Sequence, residues 1–208
     1  QYSFFFSDRN PEAAILEGSR PSEDLLAFLR GFDPADADGP ALLEIIAGWE
    51  RVAAWAAAHQ ALAVTEMLRR APGSRVEFVA DEISARLGTS RRAAQDVVDL
   101  ATGLDAFPAV HSALGRGDVD RRKAQLLLTG TEHLPTPTAR AIHDAVLPQA
   151  PHLSAPQLRL AVRRAEAGLD PAATAGRAER ARHDRCVRMV PAPDAMAWIH
   201  ALLPAPDA

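Results

Sequence analysis

VADEISARLGTSRRAAQDVVDLATGL, residues 79–104, is the stretch that decides the fold, because its spacing predicts two short helices joined by a tight turn. In the first helix Val79, Ile83 and Leu87 follow at intervals of four, so we expect them to face the core. Gly88 is expected to end this helix in the left-handed conformation that residues with a Cβ resist. Ser90 is then placed to cap the second helix.

The start of the second helix is the part that a nucleic acid would contact. The inward stripe of this helix is predicted to be Ala94, Val97, Ala101 and Leu104. In DNA-binding helix-turn-helix proteins the start of the second helix enters the major groove, which would place Arg91, Arg92 and Gln95 against base edges and phosphates. Helix pairs around a Gly-Ser turn also occur in many all-helical proteins, and Asp96 and Asp99 add negative charge here. Both interpretations stay open at this point.

The composition favours a mostly α fold. Hydrophobic residues make up 48% of the 208 residues but aromatic residues only 5%, and alanine supplies much of the apolar fraction. The net charge of -4 argues against a chain coated in positive charge. Residues 1–50 contain three arginines and ten acidic residues, so the rest of the chain is mildly basic.

The cysteine count and the hydropathy pattern indicate a compartment. The single cysteine, Cys186, excludes an intrachain disulfide and a zinc site with several cysteines, which fits a reducing cytoplasm. No apolar run approaches the roughly 18 residues of a membrane span. We therefore expect a cytoplasmic protein with no membrane partner.

Three regions are expected along the chain. Residues 1–39 form an acidic, partly ordered N-terminal segment, and residues 40–184 form a helical domain that contains the pair at 79–104. Residues 185–208 alternate around a turn-like PAPDA and predict a β-hairpin, the start of a truncated C-terminal region. Shorter helices are expected over residues 11–18, 22–30, 105–116, 121–128, 136–147, 154–167 and 171–183.

A long helix is predicted from Pro40 to about Arg70, because proline suits the first turn and an apolar stripe follows it. That stripe comprises Leu42, Ile45, Ile46, Trp49, Val52, Ala53, Ala56, Ala63, Val64 and Met67. A helix of roughly 45 Å is long for a small domain. It is therefore either the spine against which later helices pack or the interface of a homodimer.

Arg121, Arg122 and Lys123 open the helix that is predicted after Gly117, with Asp118 or Asp120 as its cap. Positive charge is unfavourable beside a helix N-terminus unless an anion lies nearby. A DNA phosphate is one such anion, and screening of the three charges by solvent is the alternative.

No catalytic constellation is evident in the sequence. The histidines do not follow the spacing of an HExxH motif or of a Cys/His zinc site, and each is expected to be a surface or capping residue. They are His59, His111, His133, His143, His152, His183 and His200. We expect no active site, no metal and no cofactor within these 208 residues.

Two longer segments resemble a known family. FVADEISARLGTSRRAAQDVVDLATGLDAFPAVHSALGRGDVDRRKAQLLL (78–128) and LDPAATAGRAERARHDRCVRMVPAPDAMAWIHALLP (169–204) are similar to the domain of unknown function 222 family, the 13E12 repeat proteins of actinobacteria. The resemblance spans roughly residues 42–208, and its most specific pieces are LGTS, ALGRGDVDRRKA and RCVRMVP. The family commonly has glycine where this chain has Ala195.

The resemblance implies a C-terminal HNH nuclease module after this domain. In that module a histidine activates water, and a second histidine or an asparagine helps to hold one divalent metal. We expect these 208 residues not to contain it, since the only asparagine, Asn10, is far from any histidine in the sequence and no CxxC pair is present to brace the fold of that module. The glutamine at position 1 and the end after a hairpin favour a truncated chain over a stand-alone relative.

Two functions from different classes are therefore expected. The first is a non-catalytic domain that binds double-stranded DNA and positions an HNH-type endonuclease. Its DNA-contacting residues would be Arg91, Arg92, Gln95, Arg121, Arg122 and Lys123. The second is a helical oligomerisation or protein-interaction scaffold without DNA affinity, which the long apolar stripe and the net acidity favour.

Overall fold

The computed structural model describes residues 16–169, 176, 179, 182, 183, 185–194 and 196–202. In these residues the chain is mostly α-helical and carries a two-stranded antiparallel hairpin, so the predicted fold class is confirmed. The chain divides into two compact units, Gln1–Val162 and Arg163–Ala208. None of the described helices is both long enough and apolar enough to cross a membrane.

The described part of the chain consists of α-helices, short 3-10 helices and one β-hairpin. The α-helices are α1 Glu23–Gly31, α2 Gly39–Arg70, α3 Val79–Leu87, α4 Arg91–Ala106, α5 Pro108–Gly115, α6 Arg121–Thr131, α7 Thr136–Val146 and α8 Ala155–Leu169. Short 3-10 helices lie at Pro34–Asp36, Gly73–Phe78 and Ala150–His152. The hairpin consists of β1 Cys186–Pro191 and β2 Ala197–Leu202.

Helix α2 is the spine of the first unit. It begins one residue before the predicted start, because Asp38 caps it by accepting a 2.8 Å hydrogen bond from the amide of Ala41. Helices α1, α4 and α5 all pack against its 32 residues. The spine interpretation of the long helix is thereby confirmed for these packed faces.

The buried stripe of α2 differs from the predicted one. It consists of Ala41, Ile45, Gly48, Val52, Ala54, Ala58, Ala61 and Val64. The prediction was wrong for Ile46 and Trp49, which are 60% and 41% exposed. It was also wrong for three alanines, Ala53, Ala56 and Ala63, which are exposed. Small residues mark the buried face because neighbouring helices come close: a Cβ on Gly48 would lie 3.0 Å from the Leu29 side chain.

The predicted turn between α3 and α4 is confirmed. Gly88 has φ 63° and ψ 31°, and the Ser90 hydroxyl accepts a 3.2 Å hydrogen bond from the amide of Ala93. The Ser84 hydroxyl donates to the carbonyl of Thr89 at 2.6 Å and so fastens the turn to α3. Local polar contacts therefore fix the angle at which the chain enters α4.

One inward position of α3 was predicted wrongly. Val79 and Ile83 are buried as expected, whereas Leu87 is 54% exposed. Leu87 occupies the last turn of α3, and an open groove faces that turn instead of packed side chains. The neighbouring Ala80 is buried in the core instead.

The predicted helix over residues 105–116 was wrong at its start. Helix α4 continues to Ala106, and α5 begins only at Pro108. Phe107 separates them with φ -127° and ψ 78°, because the residue before a proline disfavours the helical conformation. The inward positions Val110 and Leu114 are buried as predicted.

The later elements agree with the sequence where they are described. Helices α6, α7 and α8 lie within a few residues of their predicted bounds. The hairpin is confirmed, with Arg188 opposite His200 in its register. The helices predicted over 11–18 and 171–183 fall largely outside the described residues.

The expectation that every histidine is a surface or capping residue was wrong for His143. Only 1% of this residue is exposed, and its Nε2 lies 2.9 Å from the Thr131 hydroxyl and 3.1 Å from the Leu127 carbonyl. Its Nδ1 is buried without a hydrogen-bond partner, and the ring packs edge-on against Phe107 at 4.6 Å. Burial lowers the pKa of His143, although the Leu127 carbonyl and the charge of Asp144 act in the opposite direction.

Candidate nucleic-acid interface

The first turn of α4 is the exposed end of a core helix. Residues Ala94, Val98, Leu100, Ala101 and Leu104 are buried, because α4 packs against α2, α3, α5 and α6. Arg91 and Arg92 in the first turn are exposed, and no acidic residue occupies that turn. The first turn is therefore an accessible and positively polarised end of α4.

Two of the predicted contact residues already have partners within the chain. The Arg91 guanidinium donates to the Asp81 carboxylate at 2.7 Å, and both side chains are substantially exposed, at 67% and 44%. Exposed pairs contribute at most about 1 kcal/mol, so a phosphate can displace this carboxylate. The Gln95 amide donates to Asp99 at 2.8 Å, which competes with hydrogen bonds to a base.

The second basic cluster opens α6. The Asp120 carboxylate caps the helix by accepting a 2.7 Å hydrogen bond from the amide of Lys123. The Lys123 ammonium donates to the carbonyls of Ala150 and Pro151 at 3.0 and 3.2 Å. Two of the three ammonium donors thus hold the 3-10 helix Ala150–His152 against α6.

A groove lies between the turn that precedes α4 and Arg121 of the second cluster. Its walls come from the turn, from α4, from the middle of α2 and from α6, and it is lined by Gln60, Leu87, Thr89, Ala93, Asp96, Val97, Arg121 and Gln125. Arg121 therefore lies beside the turn that precedes the exposed arginines of α4. Arg122 lies in the neighbouring groove, beside Glu50 and Asp120.

Positive and negative side chains occupy different parts of α4 on this surface. Among the residues that the structure describes, no carboxylate forms an ion pair with Arg92, Arg121 or Arg122. Further along α4, Asp96 and Asp99 face a second groove that Glu132 also lines. Positive charge is therefore concentrated at the first turn of α4, whereas at the first turn of α6 Arg121 and Arg122 share their grooves with the carboxylates of Asp96, Glu50 and Asp120.

The polar residues Gln60, Thr89 and Gln125 line the groove beside the turn, and sequence reasoning missed all three. Thr89 lies within the predicted turn, so its position next to Ser90 could have indicated it. Gln60 comes from the middle of α2, and only the packing of α4 on α2 brings it to the turn. No local sequence signal indicates that contact.

The described residues contain no group of three or more histidine, cysteine, aspartate or glutamate side chains arranged to hold a metal ion. The groups that could bind an anion at this surface are guanidinium groups and helix amides. Both bind phosphate oxygens through charge-assisted hydrogen bonds.

Comparison with known proteins identifies one family. The model of the family described as "Domain of unknown function (DUF222)" matches residues 44–208 of the chain. No curated protein and no solved structure gives a significant match.

Proposed function

We propose that this chain, which belongs to the DUF222 family, binds the backbone of double-stranded DNA through the turn between α3 and α4 and the first turn of α6. The binding is non-catalytic. In this proposal Arg91 and Arg92 contact phosphates beside the groove, Arg121 contacts the same strand next to the turn, and Arg122 extends the basic surface.

The observation that carries the proposal is the common groove. The basic starts of α4 and α6 are 29 residues apart in sequence at Arg92 and Arg121, yet Arg121 lines the groove that Thr89 and Ala93 border. A guanidinium group is planar and can bind a phosphate through two parallel hydrogen bonds. The arginines of this surface therefore suit the DNA backbone.

The distribution of charge indicates what kind of binding to expect. Since Asp96 and Asp99 occupy the exposed face of α4 beyond its first turn, few side chains remain for reading base edges. Contacts with phosphates position a protein without reading sequence. We therefore infer affinity that depends strongly on salt and weakly on DNA sequence.

Gln95 and Lys123 contribute less than the sequence suggests. The Gln95 amide must leave Asp99 before it can contact a base, and the Lys123 ammonium is held by two backbone carbonyls. Lys123 instead holds the start of α6 in place.

The resemblance to actinobacterial 13E12 repeat proteins extends the proposal to a wider setting. We propose that the domain positions an HNH-type endonuclease module on DNA in the cytoplasm, where the single thiol of Cys186 stays reduced. The divalent metal belongs to that nuclease module in this proposal.

The test is a titration of this chain against a labelled duplex at several salt concentrations, with fluorescence anisotropy as the readout. Replacing Arg92 and Arg121 by alanine removes two phosphate contacts, so the slope of log K against log salt falls by about 1.8. Between 50 and 200 mM salt, the wild-type chain then loses roughly tenfold more affinity than the double variant.

The matched control is the double variant Arg140→Ala with Arg159→Ala, which removes the same charge from α7 and α8, where neither residue lines the groove. It keeps the wild-type slope if the proposal is right. Equal effects of the two double variants would show that only overall charge matters. No binding by the wild-type chain even at low salt would overturn the proposal.

A further inference from the structure

The groove beside the turn between α3 and α4 contains hydrogen-bonding groups that the fold does not use. Within the part of the chain that the structure describes, the side-chain amides of Gln60 and Gln125 and the hydroxyl of Thr89 have no hydrogen-bond partner. Each amide offers two donor hydrogens and one acceptor oxygen, and the hydroxyl offers a donor and an acceptor. The groove can therefore form several hydrogen bonds to a ligand without breaking a bond of the protein.

The other residues of this groove make its lining partly apolar and electrically neutral. Leu87, Ala93 and Val97 supply apolar surface, and 54% of Leu87 is exposed. Arg121 and Asp96 supply one charge of each sign. A phosphate within the groove would be repelled by the Asp96 carboxylate, whereas a neutral polar ligand would not. The lining therefore suits a neutral group with apolar faces and polar edges, which is the chemistry of a nucleobase.

The concave shape of the groove excludes the paired bases of an intact duplex. Its volume is about 440 Å³, within the range of sites for small ligands. The base edges of B-DNA lie at the floor of its own grooves, where a protruding helix or strand can reach them. A base enters a recess in a protein only after it has left the stack.

We propose that this groove binds an unpaired DNA base, so that the site prefers DNA with a bulged nucleotide over a perfect duplex. The inference rests on the proposed function, because Arg91, Arg92 and Arg121 would hold the phosphates next to the extruded base. Extrusion costs least for a base that has no partner in the opposite strand. The proposal therefore names the class of DNA that this surface recognises and leaves its weak dependence on sequence unchanged.

The contacts to the base follow from the chemistry of the lining. A glutamine amide can bond the N6 and N7 atoms of adenine together, so Gln60 or Gln125 would bind one edge of an unpaired adenine. The Asp96 carboxylate accepts hydrogen bonds and would favour a base that carries an exocyclic amino group. Leu87 and Val97 would contact the face of the base.

The test compares two labelled duplexes that differ only in one bulged adenine, each titrated with the chain at the same low salt concentration. The wild-type chain should bind the bulged duplex about tenfold more tightly than the perfect duplex. Gln60→Ala and Gln125→Ala should weaken binding of the bulged duplex more than binding of the perfect one. Both substitutions introduce a good helix former on a helix, so the fold should tolerate them.

A control variant and a second readout separate base binding from bending of the DNA at the bulge. Gln149→Ala removes an exposed amide that does not line the groove, so it should keep the preference of the wild type. With 2-aminopurine in place of the bulged adenine, the fluorescence of the base should rise on binding, because the base leaves its stacked neighbours.

A preference for the bulged duplex that the two groove variants lose and Gln149→Ala keeps would support the inference. Equal affinities of the wild type for both duplexes would overturn the inference and leave the proposed function intact. A preference that all variants retain would overturn it as well, since bending alone would then explain it. No binding of either duplex would overturn both the inference and the proposed function.

Discussion

Replacing His143 by leucine should change how the stability of the fold depends on pH. His143 is buried, and its pKa lies below the ordinary 6.5 because burial disfavours the charged ring. The native state therefore holds the neutral ring, with Nε2 bonded to the Leu127 carbonyl and to the Thr131 hydroxyl. Leucine has a similar volume and cannot bind a proton.

The direction of the pH effect on stability follows from proton binding at His143 in the native and the unfolded states. Above pH 6.5 neither state binds a proton at His143, so its contribution to stability is fully present. Below pH 6.5 the unfolded chain binds a proton that the native state excludes, and stability falls by up to about 1.4 kcal/mol per pH unit. This loss continues until the pH reaches the lowered native pKa.

At pH 7.5 the variant should differ little in stability from the wild type. It loses a hydrogen bond of about 1 kcal/mol and an edge-on ring contact with Phe107 of about 1 kcal/mol. It also removes the unpartnered Nδ1, whose burial costs about 1–3 kcal/mol. Thr131 stays satisfied, because its hydroxyl also bonds the carbonyl of Leu127 at 3.0 Å.

The assay is urea unfolding at pH 7.5 and 5.5, monitored by circular dichroism. The wild type should lose more unfolding free energy between these pH values than His143→Leu, by up to about 1.4 kcal/mol. His152→Leu, at an exposed histidine, is the control and should retain the wild-type dependence. Equal losses in the wild type and in His143→Leu would refute the reasoning about the buried ring.

Three further outcomes are expected. Gly88→Ala should destabilise the fold by about 1 kcal/mol in urea unfolding, because φ is 63° there but nothing obstructs a Cβ. Gly117→Ala should cost at least about 1 kcal/mol more, since φ is 73° and the new Cβ would lie 2.9 Å from the Cβ of Arg51; equal costs would contradict the packing around that turn. Asp96→Asn should raise DNA affinity at low salt in the anisotropy titration, because it removes a carboxylate from the groove that Arg121 lines, and unchanged affinity would argue against phosphate binding there.

The features that local chemistry determines were predictable from the sequence. The turn at Gly88, the cap at Ser90 and the extent of α2 all depend on residues within a few positions of one another. The hairpin was likewise predicted from apolar and polar residues that alternate on both sides of a turn. Each of these features was confirmed at nearly the predicted residues.

The features that tertiary packing determines were predicted less well. Ile46 and Trp49 have the same helical spacing as buried positions, and only the placement of α1, α4 and α5 decides which side of α2 is covered. Leu87 is exposed because a groove faces it. His143 had a usable signal, since it shares the spacing of the buried residues Ala139, Ile142 and Val146 of α7, but its residue type favoured the surface interpretation.

The residues of the candidate interface also differ in whether local sequence or tertiary packing places them. The exposed arginines at the start of α4 were predictable from the turn alone, whereas the approach of Arg121 to that turn depends on how α6 packs against α4. The hydrogen bonds from Lys123 to the carbonyls of Ala150 and Pro151 join residues that are 27 and 28 positions apart in the sequence. No sequence spacing indicates these bonds.

DNA binding at the starts of α4 and α6 is tested most directly by amide NMR shifts on addition of a short duplex. The largest shifts are predicted at residues 88–92 and at Arg121 and Arg122, with α7 and α8 unaffected. Shifts centred on Arg140 and Arg159, or no shifts at low salt, would contradict this assignment of the DNA-binding surface.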